Sequence, residues 1–208
     1  AAKKGVLIKG GRALEDLGSL TTIAFDKTGT LTEGKPRLTN ALPLNGFDKN
    51  KLLEMVLDVE SLSNHPLAKA IVNDLQLDFK IEGKHRSSKM MAIQGRGVTA
   101  QYNGGHIYIG NAQLMRDEGI GISSETQDQI DQLQRQGQTT MLVGYKDKAI
   151  GLLSVMDLPR KSAATTLQKL KDIGIKQMIM LTGDHQNVGD TIAGQIGLTE
   201  AKGNLLPE

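Results

Sequence analysis

The chain has 208 residues, which is enough for one large domain or two modest ones. A net charge of +2 gives no support for nucleic acid or an anionic membrane surface as partner, and an aromatic content of 3% without tryptophan argues against base-stacking platforms. The absence of cysteine excludes disulfides and thiolate metal sites within this sequence, and no apolar run reaches the roughly 18 residues of a membrane span.

The first elements in chain order are a strand and two helices. Residues 20–25 form a β-prone run that ends directly before Asp26. Helical periodicity follows at residues 48–61 and 66–77, and Pro66 fits the first position of the second helix.

The middle of the chain alternates in the manner of an antiparallel sheet. Asn103-Gly104-Gly105 lies between two alternating runs, and Asn-Gly in that position is a strong hairpin signal. The predicted elements are strands at residues 89–93, 98–102 and 106–109, a helix at 123–135 capped by Ser123 or Ser124, and a hairpin of 139–145 with 148–155.

The last part has the strand, loop, helix, strand order of βαβ units on a parallel sheet, with residues 148–155 and 177–181 as its strands. Pro159 fits the first turn of the intervening helix, and Gly174 fits its end. We therefore predict a split α/β domain interrupted by an α+β insert. The expected bounds are 1–36 and 149–208 for the split domain and 37–148 for the insert.

A seven-residue motif, Asp26-Lys27-Thr28-Gly29-Thr30-Leu31-Thr32, follows the first strand. An aspartate at the carboxyl end of a parallel strand lies where open α/β sheets bind ligands. Its carboxylate can attack phosphorus and form an acyl phosphate, and the small residues let backbone amides approach phosphate oxygens. A lone aspartate after a strand is more often a cap or turn residue, so the whole motif carries this hypothesis.

This motif resembles the phosphorylation signature of P-type ATPases, whose phosphorylation domain has the haloacid-dehalogenase fold. The resemblance implies that Asp26 is the phosphorylated nucleophile. It also implies that Asp26 and the backbone carbonyl of Thr28 help to hold Mg²⁺, and that Lys27 and Thr30 lie in the phosphate pocket.

Two later motifs occur in the order that the family has. Thr182-Gly183-Asp184 follows the strand at 177–181, and the resemblance implies that Thr182 hydrogen-bonds the phosphoryl group while Asp184 orients the loop near Mg²⁺. Asp157-Leu158-Pro159-Arg160 occupies the place of a D-x-x-R element near the hinge between domains. Read alone, it would be a helix start with Asp157 as the cap.

The segment around His65-Pro66 resembles the His-Pro motif of the heavy-metal branch, with Asn64 where glutamate is usual. The resemblance implies an ATP site in which His65 and Glu60 lie on the adenine side. A single His before Pro would otherwise be a surface residue at a helix start. The other implied nucleotide contacts are Gly95, Gly97, Gly110 and Asn111. We expect Gly97→Val to weaken ATP binding without unfolding the insert.

Other functions fit the sequence less well. A soluble haloacid-dehalogenase phosphatase usually has an acid two residues after the nucleophile, where this chain has Thr28. Residues 95–100 match a dinucleotide fingerprint, but a strand follows instead of a helix. The histidines lack paired ligand spacing, so we expect no soluble transition-metal site. A module that binds nucleotide without turnover stays open.

The resemblance runs from residue 6 to residue 207, and residues 4–37 look more like zinc, cadmium, lead or cobalt exporters than copper exporters. It implies a cytoplasmic loop of an integral cell-membrane protein, with a transmembrane metal-transport domain and an actuator domain as partners. We expect a monomer. The family's catalytic lysine and GDG-x-ND loop do not occur before Glu208, so we expect this chain to bind nucleotide but form little phosphoenzyme.

Overall fold

The structure is a computed structural model that describes residues 11–84 and 86–205. The helices are α1 (Gly11–Gly18), α2 (Lys49–Glu60), α3 (Pro66–Leu77), α4 (Ala112–Asp117), α5 (Ser124–Arg135), α6 (Ala163–Asp172) and α7 (Gln186–Ile196). The strands are β1 (Thr22–Asp26), β2 (Arg37–Pro43), β3 (Ser87–Ile93), β4 (Gly97–Tyr102), β5 (Gly105–Gly110), β6 (Thr139–Tyr145), β7 (Lys148–Met156), β8 (Gln177–Leu181) and β9 (Glu200–Lys202). None of the helices in these ranges is both long and apolar enough to cross a bilayer.

The strands form two separate sheets. A parallel sheet has the order β1-β8-β9, and an antiparallel sheet has the order β2-β7-β6-β5-β4-β3. The predicted fold class, a parallel-sheet domain with an α+β insert, is confirmed. The start of the family resemblance, residues 6–10, and its end, residues 206–207, lie outside the described residues, as does His85.

The parallel sheet brings distant parts of the sequence together. β1 pairs with β8 in a register that places Asp26 beside Leu181, the residue before the Thr182-Gly183-Asp184 motif. Below the sheet, α6 and α7 bury an apolar core against it that includes Leu167, Met178 and Ile192. Both sequence motifs therefore emerge at the same edge, where the carboxyl ends of the strands meet.

The antiparallel sheet of the insert is covered on both faces, because consecutive apolar residues of its central strands lie on opposite sides of the sheet. Leu153 and Val143 pack with α2 and α3, whereas the neighbouring Leu152 and Leu142 pack with α4 and α5. Successive strand residues point to opposite faces, so one sheet supports two cores. As predicted, Ser123 caps α5, since its hydroxyl accepts from the backbone N–H of Thr126.

The structure corrects the predicted position of residues 148–155. This segment lies in β7, which pairs antiparallel with β6 and with β2 and does not join the parallel sheet. Lys146, in the turn between β6 and β7, adopts a positive φ of 57° and allows the tight hairpin. The predicted hairpin of 139–145 with 148–155 is therefore present, and the predicted boundary at residue 148 falls at the first residue of β7.

The predicted helix-start roles of Pro159 and Asp157 are also wrong. The helix begins at Ala163, and Pro159 pairs in an isolated bridge with Thr32. The Asp157 carboxylate caps no helix but accepts from the Thr32 hydroxyl at 2.6 Å and from the Lys35 backbone N–H at 3.1 Å. The helix does end as predicted, with Gly174 just beyond it at φ 104°.

The two connections between the domains consequently run side by side. Backbone hydrogen bonds join Glu33 N–H to Leu158 C=O and Arg160 N–H to Leu31 C=O. The insert therefore leaves and re-enters the parallel-sheet domain through one paired hinge.

Candidate active site

Asp26 is the last residue of β1, and its side chain is exposed at the edge of the sheet. The chain then turns tightly through residues 27–31, with Gly29 at φ 76°, which glycine adopts without steric cost. Buried Thr32 holds this turn, because its backbone N–H donates to Lys27 C=O at 3.0 Å and its hydroxyl, which donates to Asp157, accepts from Gly29 N–H at 3.3 Å. The threonine that closes the motif is thus a structural part of the loop.

Arg160 fixes the same loop from the other hinge strand. Its Nε donates to Thr30 C=O at 3.1 Å and its Nη2 to Gly29 C=O at 2.8 Å. The sequence predicted that this arginine lies near the hinge but did not predict its hydrogen bonds to the loop. The signal was present in the D-x-x-R spacing, since Asp157 and Arg160 secure the two ends of one segment.

Lys27 and Asp184 form a largely buried ion pair at the centre of the site. The Nζ–Oδ2 distance is 2.5 Å, and the side chains are 9% and 17% exposed. The Thr182 hydroxyl lies 3.3 Å from the same carboxylate oxygen and accepts from the Asp184 backbone N–H at 3.1 Å. The structure therefore brings together three of the predicted catalytic residues through their side chains.

The remaining predicted catalytic residues, Asp26, Thr28 and Thr30, are exposed along the same loop. In the described ranges, no group of three or more His, Cys, Asp or Glu side chains could hold a metal ion. The oxygen donors that the loop offers are the Asp26 carboxylate and backbone carbonyls such as that of Thr28. This donor set fits Mg²⁺, which is usually held by one or two carboxylates together with substrate phosphates and water.

A cavity of about 860 Å³ lies between the insert and the loop after β8. All the predicted nucleotide residues line it: Glu60, His65, Gly95, Gly97, Gly110 and Asn111. Its far side is formed by Gly183, Asp184 and His185 of the parallel-sheet domain. Its size falls within the range typical of small-molecule sites, and it ends beside the Lys27–Asp184 pair.

His65 is a helix-start residue, and it also lines the cavity. It is the N-cap of α3, where its Nδ1 accepts from Leu67 N–H at 3.3 Å, and Pro66 is the first helical residue as predicted. In the neutral ring this arrangement leaves the proton on Nε2. The imidazole can therefore cap the helix and still offer an N–H donor to the cavity.

Glu60 lies at the end of α2 and is only 6% exposed. Burial raises the pKa of its carboxyl from 4.5 to about 7, because desolvation disfavours the charged form. A substantial fraction of this side chain is therefore protonated at neutral pH, and a protonated carboxyl can both donate and accept hydrogen bonds.

The glycines of the cavity have a structural role that the sequence analysis missed. A Cβ on Gly97 would lie 2.6 Å from Gly110 Cα and overlap the Ile109 carbonyl oxygen, and a Cβ on Gly110 would overlap the Arg96 carbonyl oxygen. Gly97 also has φ 145°, which favours glycine. The two glycines let β4 and β5 approach each other, so Gly97→Val would damage the insert, contrary to the expectation stated above.

Asn111 holds the adjoining turn in place. Its Nδ2 donates to Gly95 C=O at 3.0 Å, while its Oδ1 accepts from Leu114 N–H at 3.0 Å as the N-cap of α4. The turn residue Gly95 has φ 67°, which again suits glycine. Asn111 therefore positions the cavity wall whether or not it contacts a ligand.

With this geometry established, comparison with known proteins identifies the class. Residues 20–208 match the family model described as haloacid dehalogenase-like hydrolase, and the chain belongs to that family. Within it, the chain is 42% identical over 209 residues to a zinc/cadmium/lead-transporting P-type ATPase of Escherichia coli (strain K12). It is 39% identical over 210 residues to a probable cadmium-transporting ATPase of Staphylococcus aureus (strain MRSA252).

These alignments cover 100% of the chain but only 27% and 29% of the two relatives, so the chain spans less than a third of their length. Two solved structures are also similar. A zinc-transporting PIB-type ATPase in its E2·Pi state is 40% identical, with a TM-score of 0.66 over 100% of this chain and 33% of that one. The catalytic domain of the CPx-ATPase CopB-B is 26% identical, with a TM-score of 0.70 over 98% and 69%.

The close approach at Gly97 leads to a prediction about folding. We expect Gly97→Val to destabilise the insert by more than about 3 kcal/mol, because overpacking against backbone cannot be relieved by a side-chain rotation. Urea unfolding of the wild type and of Gly97→Val measures this difference in the free energy of unfolding. Gly121→Val, at a glycine with nothing within 4 Å of its added Cβ, is the matched control. Equal midpoints for the two valine variants would contradict the steric argument.

The pKa of Glu60 leads to a prediction about pH. Its folded pKa of about 7 lies above the unfolded value of 4.5, so the native state holds the extra proton between these values and stability falls as pH rises through this window. The full difference corresponds to about 3 kcal/mol. We expect Glu60→Gln to lose less stability than the wild type between pH 5 and pH 8.

Chemical denaturation at several pH values measures this difference, and all other titrating groups cancel between the two proteins. Stability curves that run parallel from pH 5 to pH 8 would show that Glu60 titrates normally. Asp128→Asn on the exposed face of α5 serves as a control, and it should follow the wild type.

Proposed function

We propose that this chain is the ATP-binding and phosphorylation region of a P-type ATPase that exports a transition or heavy-metal cation, with Asp26 as the residue that becomes phosphorylated. The observation that carries the proposal is the meeting of two motifs at adjacent strand ends. Asp26 ends β1, and the loop after β8 supplies Asp184 to pair with Lys27. The sequence identity of 39% and 42% to metal-transporting ATPases, over the whole of this chain, supports this assignment.

ATP fits the cavity by its chemistry at both ends. A protonated Glu60 carboxyl can donate to the ring N1 of adenine and accept from its amino group, and the His65 ring can stack on or donate to the base. The opposite end of the cavity opens beside Asp184 in the parallel-sheet domain. A nucleotide held by the insert would therefore direct its phosphates toward the phosphorylation loop.

Asp26 then acts as the nucleophile. One oxygen of its carboxylate forms a bond to the terminal phosphorus of ATP as the bond to the bridging oxygen breaks, and ADP leaves. The resulting acyl phosphate stores the free energy for transport. Mg²⁺, held by the Asp26 carboxylate and the Thr28 carbonyl, would neutralise phosphate charge when bound.

The rest of the loop prepares this reaction. Arg160 and Thr32 fix the backbone of the loop, so the exposed Thr28 and Thr30 would meet the phosphoryl group with little reorganisation. Lys27 supplies positive charge directly beside Asp26, and Asp184 holds that charge in place. Thr182 lies within reach to donate its hydroxyl to a phosphoryl oxygen.

The intact protein would add a transmembrane metal-transport domain and an actuator domain, and this chain would be its cytoplasmic loop. The two relatives described above are named for cadmium, zinc and lead, and we propose an ion of that group as cargo. A soluble phosphatase of the same family is the alternative. Thr28 disfavours it, because those enzymes usually place an acid two residues after the nucleophile.

The proposed nucleophile can be tested in the intact transporter. We expect Asp26→Asn to abolish the acid-stable, hydroxylamine-sensitive phosphoenzyme formed from γ-labelled ATP, since an amide cannot form an acyl phosphate. Asp16→Asn, in the exposed α1, is the control and should label normally. Continued labelling of the Asp26 variant would mean that another residue is phosphorylated.

The nucleotide site can be tested on the chain itself. We expect His65→Ala to weaken ATP binding several-fold, the typical effect of losing one contact worth on the order of 1 kcal/mol. Calorimetric titration with ATP measures this, and His65→Asn controls for the helix cap because asparagine is a strong N-cap residue. Weak binding by both variants supports the contact, whereas normal binding by both would move the site away from His65.

A further inference from the structure

The insert contacts the parallel-sheet domain at a second place, away from the hinge. The segment between α5 and β6 lies against α7, where Gly137 approaches Ile192 so closely that an added Cβ would be 3.1 Å from its Cδ1. The Thr191 hydroxyl also lies 3.2 Å from Arg135 C=O. Residues beside this contact, including Gln134, Thr139 and Val188, line the cavity.

One polar contact in this region reaches the active site. The hydroxyl of Thr139, the first residue of β6, donates to Asp184 Oδ1 at 3.0 Å. The other oxygen of the same carboxylate binds Lys27 Nζ at 2.5 Å. Because Lys27 follows Asp26 directly, a single carboxylate joins the insert to the residue beside the proposed nucleophile.

We infer that Thr139 is a positioning residue that links closure of the insert to the placement of Lys27, through Asp184. In the closed arrangement the Thr139 hydroxyl fixes the plane of the Asp184 carboxylate, and that plane sets where the Lys27 ammonium lies. When the insert swings away, Asp184 loses this donor and the ion pair loses its orientation. The inference rests on the proposed function only for its consequence in catalysis.

The hydrogen bond from Thr139 to Asp184 is of a strong kind, because its acceptor is charged and partly buried. A hydrogen bond to a charged group is stronger than one between neutral groups, and partial burial of the Lys27–Asp184 pair protects it from water. The neighbouring Thr140 has no such role, because its hydroxyl accepts from Gln134 Nε2 within the insert. Adjacent threonines thus offer a test and a control of the same size.

Closure can be measured on this chain without any nucleotide. The sequence has no cysteine, so Glu125→Cys on α5 and Gln195→Cys on α7 give one specific pair of nitroxide labels across the contact. Both native side chains are exposed. We expect one short distance in the parent protein and a shift of the closed-to-open ratio by about tenfold toward open in Thr139→Val, measured by pulsed dipolar spectroscopy.

Thr139→Ser keeps the hydroxyl and should keep the short distance, as should Thr140→Val. Thr139→Ala is a second deletion variant in case valine disturbs β6, and thermal melts show whether each variant is folded. A parent-like distance in both deletion variants would overturn the inference. So would opening in Thr139→Ser equal to that in Thr139→Val, because the hydroxyl would then be irrelevant.

A kinetic measurement separates positioning from binding. In the intact transporter, Thr139→Val should slow phosphoenzyme formation at saturating ATP by at least about tenfold, while the Kd for ATP changes less than twofold. Thr139→Ser should restore the rate. A variant whose only defect is weaker ATP binding would contradict a positioning role. Failure of the parent to bind ATP or become phosphorylated would instead overturn the proposed function, while the distance measurement would stand.

Discussion

The parallel pairing of β1 with β8 is the constraint on which the rest of the structure depends. These strands are separated by most of the chain, yet they lie side by side with Asp26 next to Leu181. Such pairing requires the intervening sequence to leave the sheet and return to it at nearly the same point. The paired hinge, the insert and the cavity between the two domains all follow from that requirement.

Within this frame, one set of hydrogen bonds has both a folding role and a catalytic role. Asp157 and Arg160 secure the returning hinge strand, and the same Arg160 shapes the loop after Asp26. Loop geometry and hinge geometry therefore cannot change independently. A preorganised loop of this kind lowers the cost of arranging groups around a reacting phosphoryl group, because its dipoles are already in place.

Much of the site could be predicted from the sequence because its residues are clustered in short motifs. The loop after Asp26, the pairing of His65 with Pro66 and the cap at Ser123 depend on local spacing, which a linear reading captures. Residues 148–155 were harder, since an apolar run followed by a polar loop suits a parallel strand as well as a hairpin, and only the partner strand decides. Pro159 was misplaced because it satisfies a bridge as readily as a helix start.

Long-range contacts were beyond a linear reading for a different reason. The approach of Gly97 to the β5 backbone and the bond from Thr139 to Asp184 depend on how strands and domains pack. A glycine near a ligand site looks the same in sequence whether it makes room for the ligand or for a neighbouring strand. The structure shows that Gly97 makes room for the neighbouring strand and that it also lines the cavity.

The paired hinge determines what kind of movement the insert can make. A single connecting strand would act as a swivel, free to bend and to rotate about its own axis. Two strands bonded edge to edge, with Thr32 buried against Asp157 between them, behave as a short ribbon that bends across its flat face and resists twisting. The insert should therefore open and close along one arc, and each closure returns the same face of the cavity to the same loop.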